Sequence, residues 1–100
     1  MALPRQRGKE MFLGTTKVDD FDRWWRVFST KSLAKRKQHG CKSSLVFRDP
    51  NETGRVWVLF DWDAAGWQEF VSDPEVPAIL QEAGHATKPQ VAELAGHLDG

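Results

Sequence analysis

The sequence contains a single cysteine, Cys41, in 100 residues. One thiol excludes an internal disulfide, and without a run of ligand-spaced partners it makes no metal site, so a reducing cytoplasm is the expected compartment. No apolar run approaches the ~20 residues that cross a bilayer. Residues 1–10 lack the apolar centre of a secretory signal. Also missing are a G-x-S-x-G nucleophile turn, a phosphate loop, a dinucleotide fingerprint and any His or Cys cluster with metal spacing. Together these gaps favour binding alone or a reaction that needs no cofactor and no metal.

The residues present describe a soluble globular domain, with 40% hydrophobic and 28% charged side chains. A chain of this length is one domain and hides only about 60–68% of its unfolded surface, which leaves a thin core. Its zero net charge conceals an uneven distribution. Eight basic residues and no acid lie between Arg23 and Arg48, whereas from Asp49 onward ten acids face only Arg55 and Lys88. Such halves neutralise each other within or between subunits, form a solvated face, or present a phosphate-binding surface.

The stretch from Arg55 to Trp62 organises the chain. With strand periodicity, Val56, Val58, Phe60 and Trp62 share one face and Trp57 and Leu59 the other, which predicts a central strand needing cover on both sides. Before it, residues 1–9 read as a disordered tail, with the folded domain over 11–98. Residues 11–18 form the first strand, in which Gly14 signals a close backbone approach. Asp19 or Asp20 caps a helix whose apolar stripe is Phe21, Trp24, Trp25 and Phe28, with Trp24, Trp25 and the later Trp67 expected in the core. The stripe lapses at Ser29–Ser32 and resumes at Leu33, so a break is expected before Gly40 ends the segment. Cys41–Arg48 reads as an edge strand with Cys41 buried, joined to the central strand by the turn formers Asp49–Gly54. Ala64, Trp67, Phe70 and Val71 mark a second helix, interrupted at Ser72–Pro74. There Asp73 is expected to cap a renewed helix opening on Pro74 and ending at Gly84. Val91–Leu98 reads as the last strand.

The order βαββαβ predicts an α+β, ferredoxin-like fold, a four-stranded antiparallel sheet with two helices on one face. The opposite face is left bare and apolar, and a second copy of the chain, packed sheet to sheet as a homodimer, is its expected cover.

Three segments, V-D-D-F-D-R-W-W-R-V-F at 18–28, D-P-N-E-T-G-R-V-W-V-L-F-D-W-D at 49–63 and F-V-S-D-P-E-V-P-A-I-L-Q-E-A-G at 70–84, resemble the dimeric α/β-barrel superfamily. That superfamily includes antibiotic-biosynthesis monooxygenases, polyketide cyclases, heme-degrading monooxygenases and stress-responsive barrel proteins. Heme-degrading members carry a Trp and, ten residues later, a ligating His on the second helix, with an Asn on the first strand. Phe70, Leu80 and Thr15–Thr16 stand at the matching places here, which argues against heme. The cofactor-free members imply a small aromatic ligand held by a Trp at the end of the third strand, where this chain has Trp62. On that resemblance Val58 and Phe60 would line the same wall and Thr15 would add a polar group. Lys17 would stabilise an enolate or phenolate. His85, in a loop, is a weaker catalytic candidate, expected to be exposed, and His39 reads as a favourable charge at a helix end. Two other readings stay open. A structural or stress-related dimer would have a filled interior. An RNA-recognition module shares the element order, but its third strand requires R-G-F-G-F-V where this chain has R-V-W-V-L-F, leaving Trp57 as the one platform and making nucleic acid the less favoured partner.

Overall fold

The computed structural model describes residues 11–100; the expected N-terminal tail lies outside the described residues. β1 (Met11–Lys17) and β3 (Arg55–Asp61) both alternate between buried and half-buried positions and pair antiparallel as the centre of the sheet, with Gly14 opposite Val58. β2 (Ser43–Arg48) lies outside β3 and β4 (Gln90–Glu93) outside β1, giving the order β2-β3-β1-β4. Between them run α1 (Phe21–Phe28), α2 (Lys31–Gln38), α3 (Ala64–Ser72) and α4 (Val76–Ala83). The two expected helices are thus each broken once, where the stripes lapse. The Asp20 carboxylate, rather than Asp19, caps α1 through the Arg23 amide at 3.2 Å.

Val56, Val58, Phe60 and Trp62 form the inner row, each at most 7% exposed, with Phe12, Trp24, Val27 and Phe70 packed on them. At about 1.5–3 kcal/mol for each fully buried large apolar side chain, this row is a main source of stability. Gly14 has the expected role: a Cβ there would meet the Phe60 ring at 3.1 Å, so its absence lets that ring lie across β1. The Asp49–Gly54 loop closes on a positive-φ Gly54, whose carbonyl accepts from the Val18 amide at 2.8 Å.

Several expectations need correction. β4 ends at Glu93, opposite Phe12, rather than running to Leu98; just beyond it the Leu94 amide donates to the Met11 carbonyl at 3.3 Å, where the described part of β1 begins. Cys41 is half-buried and lies before β2, not in it. α4 opens at Val76 with Pro77 in its first turn; Asp73 instead accepts from the Glu75 amide at 2.9 Å, closing a turn around Pro74. Trp25 is 45% exposed, since the inward arc of α1 is covered by Trp24 and Val27. Among the described residues, no helix is long and apolar enough to cross a membrane.

Candidate ligand-binding site

Between the inner row of the sheet and the helices lies a cavity of about 80 Å³. Its walls come from Val58, Phe60 and Trp62 on the sheet side and from Trp24, Phe28, Trp67, Phe70 and Leu80 on the helices. Trp62 follows β3 directly and is 2% exposed. Its indole Nε1 donates to the His39 carbonyl at 2.9 Å, and its ring meets Phe70 edge-on at 5.2 Å between centroids. The indole is therefore fixed at both its polar and its apolar side.

One polar group sits on the β1 side. Thr16 is 5% exposed, and its hydroxyl lies 3.0 Å from both His85 Nδ1 and the Thr87 carbonyl. A hydroxyl carries one hydrogen, and the carbonyl can only accept. Thr16 therefore donates to Thr87, and His85 Nδ1–H donates to Thr16, which leaves Nε2 with its lone pair. Burial pushes the imidazole below its ordinary pKa, so His85 is a neutral base near pH 7. The loop that carries it is tied to β1 by the Ala86 amide, which donates to the Lys17 carbonyl at 2.7 Å.

A second polar group enters from α2. Ser32 and Arg36, one helical turn apart, are the buried residues of this helix at 4% and 3% exposure. Arg36 Nη1 donates to Ser32 Oγ at 2.7 Å and Nη2 to the Phe28 carbonyl at 3.1 Å, while the guanidinium stacks on the Phe28 ring at 3.6 Å. Its Nε–H is buried without a partner among the described residues. Burial lowers the guanidinium to about 10, still charged at neutral pH. Cys41, whose thiol burial pushes up in pKa, sits close to it.

Val58, Phe60, Trp62 and His85 all line the cavity. The expectation that His85 is exposed is thereby corrected: it is half-buried and hydrogen-bonded. Thr15 and Lys17 do not join them as polar groups. The pleat turns alternate residues to opposite faces, so these two share the outer face with Trp57. The Thr15 hydroxyl donates to the Val56 carbonyl at 3.0 Å although the residue borders the cavity, and Lys17 pairs with Glu52 at 3.3 Å. The cavity described here lies within one chain, beneath the helices. Thr16, Ser32 and Arg36 were not singled out by the sequence. The available signal was the Ser32–Arg36 spacing of four on the side of α2 where an apolar stripe should run.

The basic run of the first half meets the acids of the second half inside one chain. Lys31 pairs with Glu82 at 2.9 Å, and Lys35 pairs with Asp73 at 2.8 Å and with Glu75 at 2.6 Å. His39, at the end of α2, bonds Asp73 at 2.9 Å. No group of three or more His, Cys, Asp or Glu side chains among the described residues is placed to hold a metal ion.

No family model matches the sequence, and no curated protein sequence matches it. The fold does have solved relatives. SnoaB, a cofactor-independent oxygenase from Streptomyces nogalater, superposes with a TM-score of 0.70 over 91% of this chain and 97% of its own, at 12% identity. A protein of Bordetella bronchiseptica proposed to be an antibiotic biosynthesis monooxygenase gives 0.73 over 89% and 97%, at 14% identity. Another antibiotic biosynthesis monooxygenase gives 0.65 over 89% and 99%, at 13% identity. The chain has the ferredoxin-like α+β fold of these structures.

Proposed function

We propose that the chain pairs as a homodimer through its outer sheet face and that each subunit binds a small aromatic molecule beneath Trp62, on which it acts as a monooxygenase without cofactor. The observation that carries this reading is the apolar cavity with a neutral, orientation-locked His85 in its wall. The similarity of fold to a cofactor-independent oxygenase supports it. A purely structural dimer would have a filled interior, and the cavity speaks against that alternative.

In this reading the substrate is its own reductant. His85 Nε2 removes a proton from a methylene flanked by an aromatic ring and a carbonyl. The resulting enolate adds O2 to give a hydroperoxide, which loses water and leaves a ketone, so one O2 yields one carbonyl oxygen and one water. The apolar walls replace part of the solvent around the anion.

The test is oxygen uptake with 2-tetralone, whose C1 methylene lies between an aromatic ring and a carbonyl, without added metal or reductant. One O2 consumed per substrate is expected, and His85→Ala should lower kcat by about 10²-fold, the scale of a lost general base. Because burial lowers the His85 pKa, the rate should hold as pH falls through the ordinary value of 6.5 and decline only below it. Binding without uptake would overturn the oxygenase assignment, and absence of binding would overturn the cavity assignment as well.

A further inference from the structure

We propose that Arg36 is an anion-binding subsite in the helix-side wall of the cavity, and that the aromatic ligand carries an acidic oxygen group, a carboxylate or acidic phenol, which docks on it. The inference rests on the ligand-binding reading above and narrows the class of molecule.

A guanidinium buried to 3% exposure ordinarily has a carboxylate beside it, because desolvation of an unpaired charge is costly. Arg36 makes no ion pair among the described residues. Its partners are the neutral Ser32 hydroxyl, the Phe28 carbonyl and the Phe28 ring, with the neutral Cys41 thiol close by. The carbonyl lies at the C-terminal end of α1, where the helix dipole gives a partial negative charge but not a full one. The neighbouring Cys41 thiol does not supply a counter-charge at neutral pH, since burial holds it protonated. The acids that pair with α2 and its C-cap are committed to other cations: Asp73 to Lys35 and His39, Glu75 to Lys35, Glu82 to Lys31; Asp61, whose charge reaches Cys41, forms no ion pair with Arg36. A guanidinium has five N–H donors in a planar fork suited to a carboxylate. Here the Nε–H is left unused, and Arg36, Ser32 and Phe28 all line the cavity. An aromatic acid would satisfy both features, its ring among Trp62 and Trp67 and its oxygens on the fork.

The probes are benzoate, benzyl alcohol and acetate, titrated into the ¹⁵N-labelled protein and followed by two-dimensional NMR. Benzoate is expected to bind at least tenfold more tightly than benzyl alcohol, and acetate far more weakly than benzoate. Benzoate should also move the Arg36 Nε–H resonance, assigned by its loss in Arg36→Gln. That variant should bind the two aromatic probes equally, with affinity for the alcohol kept, and Arg36→Lys should restore part of the preference. Equal binding of benzoate and benzyl alcohol by the wild type would overturn the anion subsite while leaving the cavity reading intact. Binding of neither would end both. Acetate binding as tight as benzoate would place the anion in the outer groove, which Arg36 shares with Cys41 and Lys37, and would overturn the assignment to the cavity. If circular dichroism shows Arg36→Gln unfolded, the wild-type ratio and the Arg36→Lys variant carry the test.

Discussion

A methyl group on Gly66 would collide with the His39 carbonyl and lie 2.5 Å from Trp62 Nε1, the two atoms joined by the hydrogen bond that fixes the indole. Gly66→Ala should therefore destabilise by about 1–3 kcal/mol through overpacking, despite alanine's advantage of ~1 kcal/mol within a helix. Urea unfolding monitored by circular dichroism measures the difference, and an unchanged or raised midpoint would contradict the geometry. At this scale the sequence was readable where a residue's chemistry matches its burial. Trp62, Phe60 and Val58 stand at the expected place because apolar side chains at alternate positions have one natural destination. In the sequence Arg36 is one member of a basic run, and its burial goes against the hydropathy rule by which the helix is read. Thr16 differs from Thr15 by one step of pleat. Only the observed pairing of β1 with β3 determines which of two adjacent threonines faces inward.

At the level of elements, α2 is held to the α3–α4 turn by charge rather than by an apolar stripe. Asp73 is the hub, accepting from His39 and Lys35, and these bonds with the Glu75 amide hold its carboxyl well below the usual range. A carboxylate whose folded pKa is depressed stabilises the fold above its unfolded pKa, and that contribution disappears as pH falls toward the folded value. The domain should thus lose stability below about pH 3.8, the ordinary Asp value. Asp73→Asn should melt at a lower temperature than wild type at pH 7, with the gap closing in acid. Thermal melts of both proteins across pH 2–7 check this, and a constant gap would refute it. The breaks between α1 and α2 and between α3 and α4 were visible as lapses in spacing and as Pro74, whereas the clamp was not. Lys35 and Asp73 are 38 residues apart in the chain, and no local pattern joins them.

For the whole molecule, the deciding feature is the uneven cover of the sheet. The four helices lie on one face, and the other displays Leu45 at 55% and Phe47 at 52% exposure, alongside Leu13, Trp57 and Leu59. Neighbouring apolar side chains of this size favour self-association. Analytical ultracentrifugation should find a species of twice the 11.4 kDa chain. The double variant Leu45→Glu/Phe47→Glu should sediment as a folded monomer, because like charges would be forced together at the pairing surface. A monomeric wild type at micromolar concentration would discard the dimer. The two-faced apolar character of Arg55–Trp62 made this asymmetry legible, but which face the helices cover depends on the crossovers, which the residues of one strand do not encode. The placement of the indoles has one more consequence. Trp24, Trp62 and Trp67 line the chamber, while Trp25 is turned toward solvent and Trp57 toward the outer face. The indoles thus fall into an inner and an outer set, so filling of the chamber should change the blue part of the emission and pairing of subunits the red part, each readable in a single spectrum.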